Sequence, residues 1–372
     1  MQRTRRRSTL AGRAPAPHVA EEPVQVSVLR GAAEIEAVAS DIEQLATAAV
    51  PVTAQWWWLR TWMACHGSWR PWAVLAREPH GEATGVALLA ERRRLGVDEV
   101  VALGYGQSDY QRLLLRGPED AQTLGRALAT VLAARRRPWR LYLNELPVND
   151  PTARVLATML PHSVVEPGAG AAVIDIGSGL TSAMLRPNAR KRVRRARNHL
   201  ARDNRLVAVE RMRGAADIAG VLPAIEMVHV SRDHALRGTS DLDDPEHRAF
   251  WYAVIAEAAR RNAAEVTTLT VDGRLGAHLV AFRDGSSYRV WDCRLLPEFE
   301  EYGLGHIIRD EVLDALASEG GWTEFDWMRG VEEYKLRTAT RVVDACTVRA
   351  WSSGWLAVTE RWAKAARRRW RR

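Results

Sequence analysis

Apolar residues alternate with polar ones in "VQVSVL" from Val24, and short apolar runs recur in "WAVLARE", "GVALLAERR" and "EVVALGY"; these and "WRLYLNEL" each predict a strand. The turn-rich "PHGEATG" joins "WAVLARE" to "GVALLAERR" as a hairpin. Helical spacing takes over in "AAEIEAVASDIEQLATAAV" and in "TAQWWWLRTWMACHG", where Trp57, Thr61 and Ala64 fall on one face. A further helix is predicted over "PEDAQTLGRALATVLAARRR", with Pro118 near its start and acids in its first turn. The segment "EPGAGAAVIDIGSG" closes this half.

The pattern restarts at "PNARKRVRRARNHLARDNRLVAVE". On a helix, Val193, Ala196 and Leu200 share one face, while Arg190, Lys191, Arg194, Arg195, Arg197 and Arg202 cover the others. Helices over "IAGVLPAIEMVHVSRD" and "PEHRAFWYAVIAEAARRN" lead into strands "EVTTLTVDG", "GAHLVAFRDG" and "SSYRVWDC", then a helix "HIIRDEVLDALASEG" and a strand "WTEFDWM". The two halves thus repeat one theme, helices leading into an antiparallel meander, without visible identity between them. At the far end Trp351, Trp355, Val358 and Trp362 recur at i, i+4, i+7 and i+11, which predicts an amphipathic helix. Core packing is the first expectation for that stripe; Trp beside Arg at an anionic lipid interface is the second. The organisation expected is a disordered basic tail over 1–23, domains over 24–180 and 181–350, and a basic amphipathic helix over 351–372.

Length and composition allow this: 372 residues with 47% hydrophobic content fill two ordinary cores. Charge is concentrated at the ends. Arg3, Arg5, Arg6, Arg7 and Arg13 lie at one terminus, and Lys364, Arg367, Arg368, Arg369, Arg371 and Arg372 at the other. These eleven charges exceed the net +8 of the chain and leave residues 14–363 at −3. The high isoelectric point therefore belongs to the tails, and the acidic body weighs against DNA as a partner. Cys65, Cys293 and Cys346 are too few and too scattered for a disulfide framework or a zinc site, which suits a reducing cytoplasm. No stretch reaches the roughly 18 consecutive apolar residues of a spanning helix. No metal site is expected either, since His229 and His234 cannot share a helix face and Glu226 alone does not complete one.

In "YRVWDCRLLPEFEEYGLGHIIRDEVLDALASEGGWTEFDWM" a strand ends at Leu-x-Pro-Glu, a glycine pair opens a helix, and a Gly closes it before another strand. This resembles the cofactor-binding core of the GNAT superfamily of N-acyltransferases. The blocks "EMVHVSRDHALRG", "HRAFWYAVI", "TVDGRLGAHLVAFRDGSSYRVW", "EYGLG" and "FDWMRGVEEYK" are similar, in that order, to those of the acetyltransferase-6 family. That family contains CelD-like proteins of polysaccharide biosynthesis and is related to tandem-GNAT Fem-type transferases. The match runs from about Arg186 to Lys335; the first half resembles the family more loosely, through "WWWLRTW" and "LGYGQSDYQRLLL".

The resemblance implies an α/β fold, layered α+β, of two tandem GNAT-like domains, each a mixed, mostly antiparallel sheet flanked by helices. It implies an N-acyltransferase that uses acetyl-CoA or another acyl-CoA, without a metal, on an amine of a small molecule or a cell-envelope or polysaccharide precursor. Cofactor contacts would come from Leu295, Phe299, Tyr302, Gly303, Leu304, Gly305 and His306. Glycines at a helix start leave backbone N–H groups bare toward a pyrophosphate, and the helix dipole favours its charge. Acyl transfer to an amine needs a base, oxyanion donors and an acid for the thiolate. His229, Asp326 and Glu333 are the candidate bases, Tyr334 the acid, and Lys335 a cation for the developing charge. Asp109, Tyr110, Trp291 and Arg329 would line the acceptor groove. Two rival readings stand beside this one. A Fem-like aminoacyltransferase using charged tRNA is favoured by the basic helix and opposed by the acidic body; the other is a non-catalytic accessory protein of polysaccharide biosynthesis.

Overall fold

The computed structural model describes residues 24–46, 50–177 and 187–370, apart from the side chains of residues 187, 188 and 363–370. The expected tail over 1–23 lies outside the described residues. The chain opens with strand β1 (Gln25–Arg30), helices α1 (Ala32–Glu36), α2 (Ala39–Leu45) and α3 (Trp56–Cys65), and the meander β2 (Arg70–Arg77), β3 (Ala83–Arg94) and β4 (Val97–Ala102). Strand β5 (Leu114–Leu115), helix α4 (Ala121–Ala133), strand β6 (Trp139–Pro147), helix α5 (Pro151–Met159) and strands β7 (Val164–Pro167) and β8 (Ala171–Asp175) follow. The second half begins with α6 (Pro187–Arg202), β9 (Val207–Met212), α7 (Ala215–Arg237) and α8 (Pro245–Arg260). It continues through β10 (Ala264–Val271), β11 (Arg274–Asp284), β12 (Ser287–Leu295), α9 (Leu304–Glu319) and β13 (Glu324–Arg329), and ends with α10 (Glu333–Leu336), β14 (Arg341–Val343), β15 (Ala345–Trp351) and α11 (Gly354–Trp370).

Local chemistry sets several of these boundaries. Asp244 accepts from the N–H groups of Glu246 and His247 at 2.8 and 3.2 Å, with Pro245 in the first turn, and so starts α8. Gly238, at φ 75, closes α7 in the left-handed conformation that a residue without a Cβ adopts cheaply. The long helix expected over Ala32–Val50 is broken into α1 and α2, because Val38, at φ -114 and ψ 20, leaves helical geometry between them.

Two sheets result, in the orders β1-β2-β3-β4-β6-β15-β7 and β14-β8-β13-β12-β11-β10-β9, with β5 attached to β3. They exchange strands across the boundaries expected at 180 and 350. Strand β8 from the end of the first half pairs with β13 and β14, and β15 from the end of the second half pairs with β6 and β7. The exchange covers edges that each sheet would otherwise present to solvent. It also corrects the C-terminal stripe: Trp351 ends β15 and is buried, whereas Trp355 and Trp362 on α11 are 59% and 73% exposed. Core packing is therefore not what the two helix tryptophans do.

Each sheet contains one parallel pair joined by a helical crossover, β4 with β6 through α4 and β12 with β13 through α9. Between the sheets runs an aromatic seam. Trp58 from α3 meets Phe250, Phe282 and Trp291 of the second half edge-on, at centroid distances of 5.4, 5.3 and 5.4 Å. Rings crossing at these angles add about 0.5–1.5 kcal/mol per pair to the burial itself, so the seam contributes to holding the halves together.

Candidate active site in the second sheet

The parallel pairing of β12 with β13 covers Ser287–Arg289 against Glu324–Asp326 and then stops. Beyond that point β12 stays on β11 as far as Leu295, while β13 turns toward β8 through a bulge that includes Met328 at φ 54. The strands open into a V whose walls are Asp292–Leu295 and Trp327–Arg329. A second bulge makes this opening chemically unusual. Val280 pairs with Asp292 and Ala281 with Val290, so Trp291 is left over and the alternation of faces slips by one. Trp291 joins the aromatic seam, and Asp292 turns toward α7 on the same side.

There Asp292 meets His229. The His229 Nδ1 lies 2.8 Å from Asp292 Oδ2 and its Nε2 3.2 Å from Asp233 Oδ2, with His278 Nε2 3.3 Å from the same Asp292 oxygen. All four residues are buried. Burial opposes a charge on His229, but Asp292 and Asp233 outweigh it and push the imidazole up to about 9. His278, enclosed and sharing Asp292, is moved the other way, chiefly by burial. His229 therefore holds its proton at neutral pH. The atoms of His229, His278 and Asp292 lie within 4.8 Å of one another, the composition of a metal site, yet Arg294 already supplies a cation there, 3.2 Å from Asp292 Oδ1 and 3.1 Å from Asp233 Oδ1.

At the other end of the V, Gly303 caps α9 at φ 63. A side chain there would be strained by the backbone angle, and a Cβ would sit 3.5 Å from the His306 ring. The N–H of His306 returns to the Gly303 carbonyl at 3.0 Å, whereas those of Leu304 and Gly305 have no backbone partner among the described residues. Beside this helix start is a cavity of about 520 Å³, walled by Arg192, Arg195 and Arg202 of α6 and lined on the other side by Glu301, Tyr302, Gly303 and His306. Burial, then Arg309, Arg192 and Arg337, lower His306 to about 4, so it is neutral beside these cations. Glu300 and Glu301 precede the turn. Glu300 is paired with Arg232 at 2.9 Å, which neutralises it and turns it away from the cradle.

The other expected site residues fall into three groups. Leu295 approaches Gly305, to within 3.9 Å of a Cβ built there, while Phe299, Tyr302 and Leu304 pack into the core below, and Tyr302 bonds Asp203 at 3.0 Å. Asp109, Tyr110, Asp326 and Arg329 are brought together at the seam as one another's partners. The Tyr110 hydroxyl donates to Asp326 Oδ2 at 2.7 Å, Arg289 pairs with the same oxygen, and the Met328 N–H reaches Oδ1 at 2.7 Å. Arg329 pairs with Asp109 at 3.3 Å and donates to the Gly106 carbonyl at 3.2 Å. The third group is "VEEYK". Glu333 is exposed and paired with Arg337, and Lys335 is buried, bound to the Arg329 carbonyl at 2.8 Å and Glu332 at 2.9 Å. Tyr334 is half-exposed at the V, its ring edge-on to Trp327 at 6.0 Å. Partial burial, then Cys293 and Glu332, hold its phenol above the ordinary range, hence protonated.

Sequence reasoning missed Asp292, Asp233, His278 and Arg294. A strand residue such as Asp292 carries no periodic signal once a bulge has shifted its face. The first sheet repeats the parallel pair but not the cradle. Its crossover helix α4 opens after Pro118-Glu119-Asp120, and Asp120 accepts the Gly117 N–H at 3.2 Å, so carboxylates occupy the place where an anion would bind.

Residues 187–336 match the acetyltransferase (GNAT) domain family. No curated relative matches the chain. Among solved structures it is similar to FemX, at 11% identity and TM-score 0.54 over 83% of this chain and 95% of that one. It is also similar to a Bacteroides thetaiotaomicron protein of unknown function, at 12% identity and TM-score 0.53 over 86% and 97%. A third is the C-terminal domain of an Agrobacterium fabrum protein assigned as a lysylphosphatidylglycerol synthetase, at 9% identity and TM-score 0.52 over 87% and 94%. These likenesses and the family match establish the mixed α/β fold of two GNAT-like units in tandem.

Proposed function

Because residues 187–336 match the GNAT acetyltransferase domain family, we propose that the chain transfers an acyl group from an acyl-CoA thioester to an amine, using the V of the second sheet. The observation that carries this reading is the cradle: a left-handed glycine opens a 16-residue helix whose first two N–H groups have no backbone partner among the described residues, beside a cavity lined by Gly303, His306 and three arginines. Helix-terminal N–H groups and guanidinium ions together are what a pyrophosphate requires. The thioester supplies the activated acyl carbon and a thiolate leaving group.

The chain's own residues divide the remaining work. Leu304 and Gly305 donate to the phosphates, and Arg192 and Arg195, neither ion-paired among the described residues, balance their charge. The open edges of β12 and β13 receive the extended part of the donor. Tyr334, protonated and half-exposed beside Cys293, is the proton donor for the thiolate. His229, already protonated, is an electrostatic pillar that fixes Asp292 and Arg294 behind the V rather than a base. Asp326, with three donors on its carboxylate, is engaged at the seam. The acceptor amine therefore enters neutral and sheds its second proton to solvent at the exposed mouth. A small-molecule or envelope-precursor amine fits such a mouth, and the reading is of a protein working in the cytoplasm; among the described residues no helix is long and apolar enough to cross a membrane.

Isothermal titration with acetyl-CoA tests the reading. Binding by the parent and its loss in Gly303→Val, in a variant that still melts cooperatively though at a lower temperature because valine is strained at φ 63, support the cradle. Equal affinity in the two proteins removes it. The outward faces of Arg190, Lys191 and Arg194 on α6 favour a charged tRNA as the alternative donor, and a shift of deacylated tRNA at physiological salt would support that instead.

A further inference from the structure

A groove of about 700 Å³ lies on the first sheet, on the face turned away from α4 and α5. Alternation along the strands explains which residues reach it. Val100, Leu141 and Val348 point into the core, and Glu99, Arg140 and Arg349 point out. One side is closed by Trp69 and Tyr105, and the other by Leu356 and Glu360 of α11.

Two features separate this surface from a solvated charge ladder. The first is sign: Arg92, Arg94, Arg140 and Arg349 face only Glu99 and Glu360 within the groove. Arg92 pairs with Glu99 at 2.6 Å, Arg140 is shared between Glu99 and Glu360, and Arg349 pairs with Glu360 at 3.2 Å and with Glu166 outside the groove at 3.4 Å, which uses both groove carboxylates. Arg94 has no partner among the described residues. The second is a row of rings. Trp69, Tyr105 and Tyr142 follow one another at 5.8 and 5.6 Å, Arg92 lies over Trp69 at 4.2 Å and Arg349 over Tyr142 at 4.8 Å. The Tyr105 and Tyr142 hydroxyls hydrogen-bond to no described residue. Flat faces, free hydroxyls and surplus guanidinium charge, in a volume typical of small-molecule sites, specify a ligand with a ring and an anionic group.

The groove also adjoins the V. Tyr105 precedes Gly106, whose carbonyl accepts from the Arg329 side chain, and the Arg329 carbonyl accepts from Lys335, the neighbour of Tyr334. We propose that this groove is the acceptor site, binding a ring-bearing anion whose carboxylate or phosphate meets Arg94 and whose ring packs in the corner between Tyr105 and Tyr142, which stand edge to face. The assignment as acceptor rests on the acyl-transfer reading; the binding itself does not.

Calorimetry on the full chain separates the two. The probes are glucose 6-phosphate and phenyl phosphate, with glucose, phenol and inorganic phosphate as controls. One ring-bearing phosphate should bind at least about tenfold more tightly than its neutral parent and than inorganic phosphate, and which one binds distinguishes a sugar from an aryl source. Arg94→Gln and Tyr142→Phe should each weaken it about tenfold, and Gly303→Val should leave it unchanged. Absence of binding up to about 10 mM, equal affinity for inorganic phosphate, or indifference to both groove variants overturns the site. Loss of the probe in Gly303→Val overturns it too, by moving the anion to α9. If the probe binds but acetyl-CoA does not, the acyl-transfer reading falls and the groove stands.

Discussion

Replacing His229 by Gln removes an imidazolium that two buried carboxylates share, and the consequence depends on pH in a way that can be worked out beforehand. The group is lifted from an ordinary 6.5 to about 9, against burial and Arg294, by Asp292 and Asp233. A folded-state value above the unfolded one means that the proton stabilises the fold. The contribution is fully present below about pH 6.5 and is lost as pH rises through about 9. The separation of about 2.5 pH units corresponds to on the order of 3 kcal/mol. Arg237 on Asp233 is charged throughout this range in both proteins, whereas His278 shares Asp292 with His229 and is held down partly by its charge, so its own titration moves upward in the variant. Urea denaturation of parent and variant at half-unit steps from pH 6 to 10 measures the difference. It should be largest near pH 6 and shrink by about 3 kcal/mol by pH 10. A difference that stays flat across this range, or a His229 ring resonance that titrates near 6.5, would refute the paired imidazolium and restore His229 as a candidate base.

Three further outcomes follow from the site. Tyr334→Phe should lower kcat by about 10²-fold with KM nearly constant, because the lost proton donor acts only in the transition state; steady-state kinetics with acetyl-CoA and an amine checks this. Lys335→Met should reduce stability by about 1–3 kcal/mol by stranding the Arg329 carbonyl, with turnover per folded molecule retained, as thermal melts and active-site titration would show. Tyr110→Phe should cost about 1.5–3 kcal/mol by removing the seam's bond to the Asp326 carboxylate, and a change of less than about 0.5 kcal/mol in denaturation would show that the halves do not depend on it.

Much of this protein was legible in its sequence, and the reason is local. The short apolar run of "WAVLARE" and the 3.6 period of "PNARKRVRRARNHL" are properties of neighbouring residues, so β2, buried on both faces, and the buried face of α6, with Val193, Ala196 and Leu200, could be read directly. The glycine pair before α9 was equally readable, since a left-handed cap and bare N–H groups need no distant partner. The exchange of β8 and β15 between sheets was not readable, because alternation says that a strand has a buried face and is silent about which neighbour buries it. For the same reason the sequence brought Asp109, Tyr110, Asp326 and Arg329 under suspicion as polar residues without revealing that they satisfy one another across a seam more than 200 residues apart in the chain. The bulge at Trp291 is the sharpest case. One unpaired residue turns Asp292 toward α7, and only then do His229, Asp233, His278 and Arg294 become a single charged cluster, because electrostatics depends on distances that the folded backbone alone supplies.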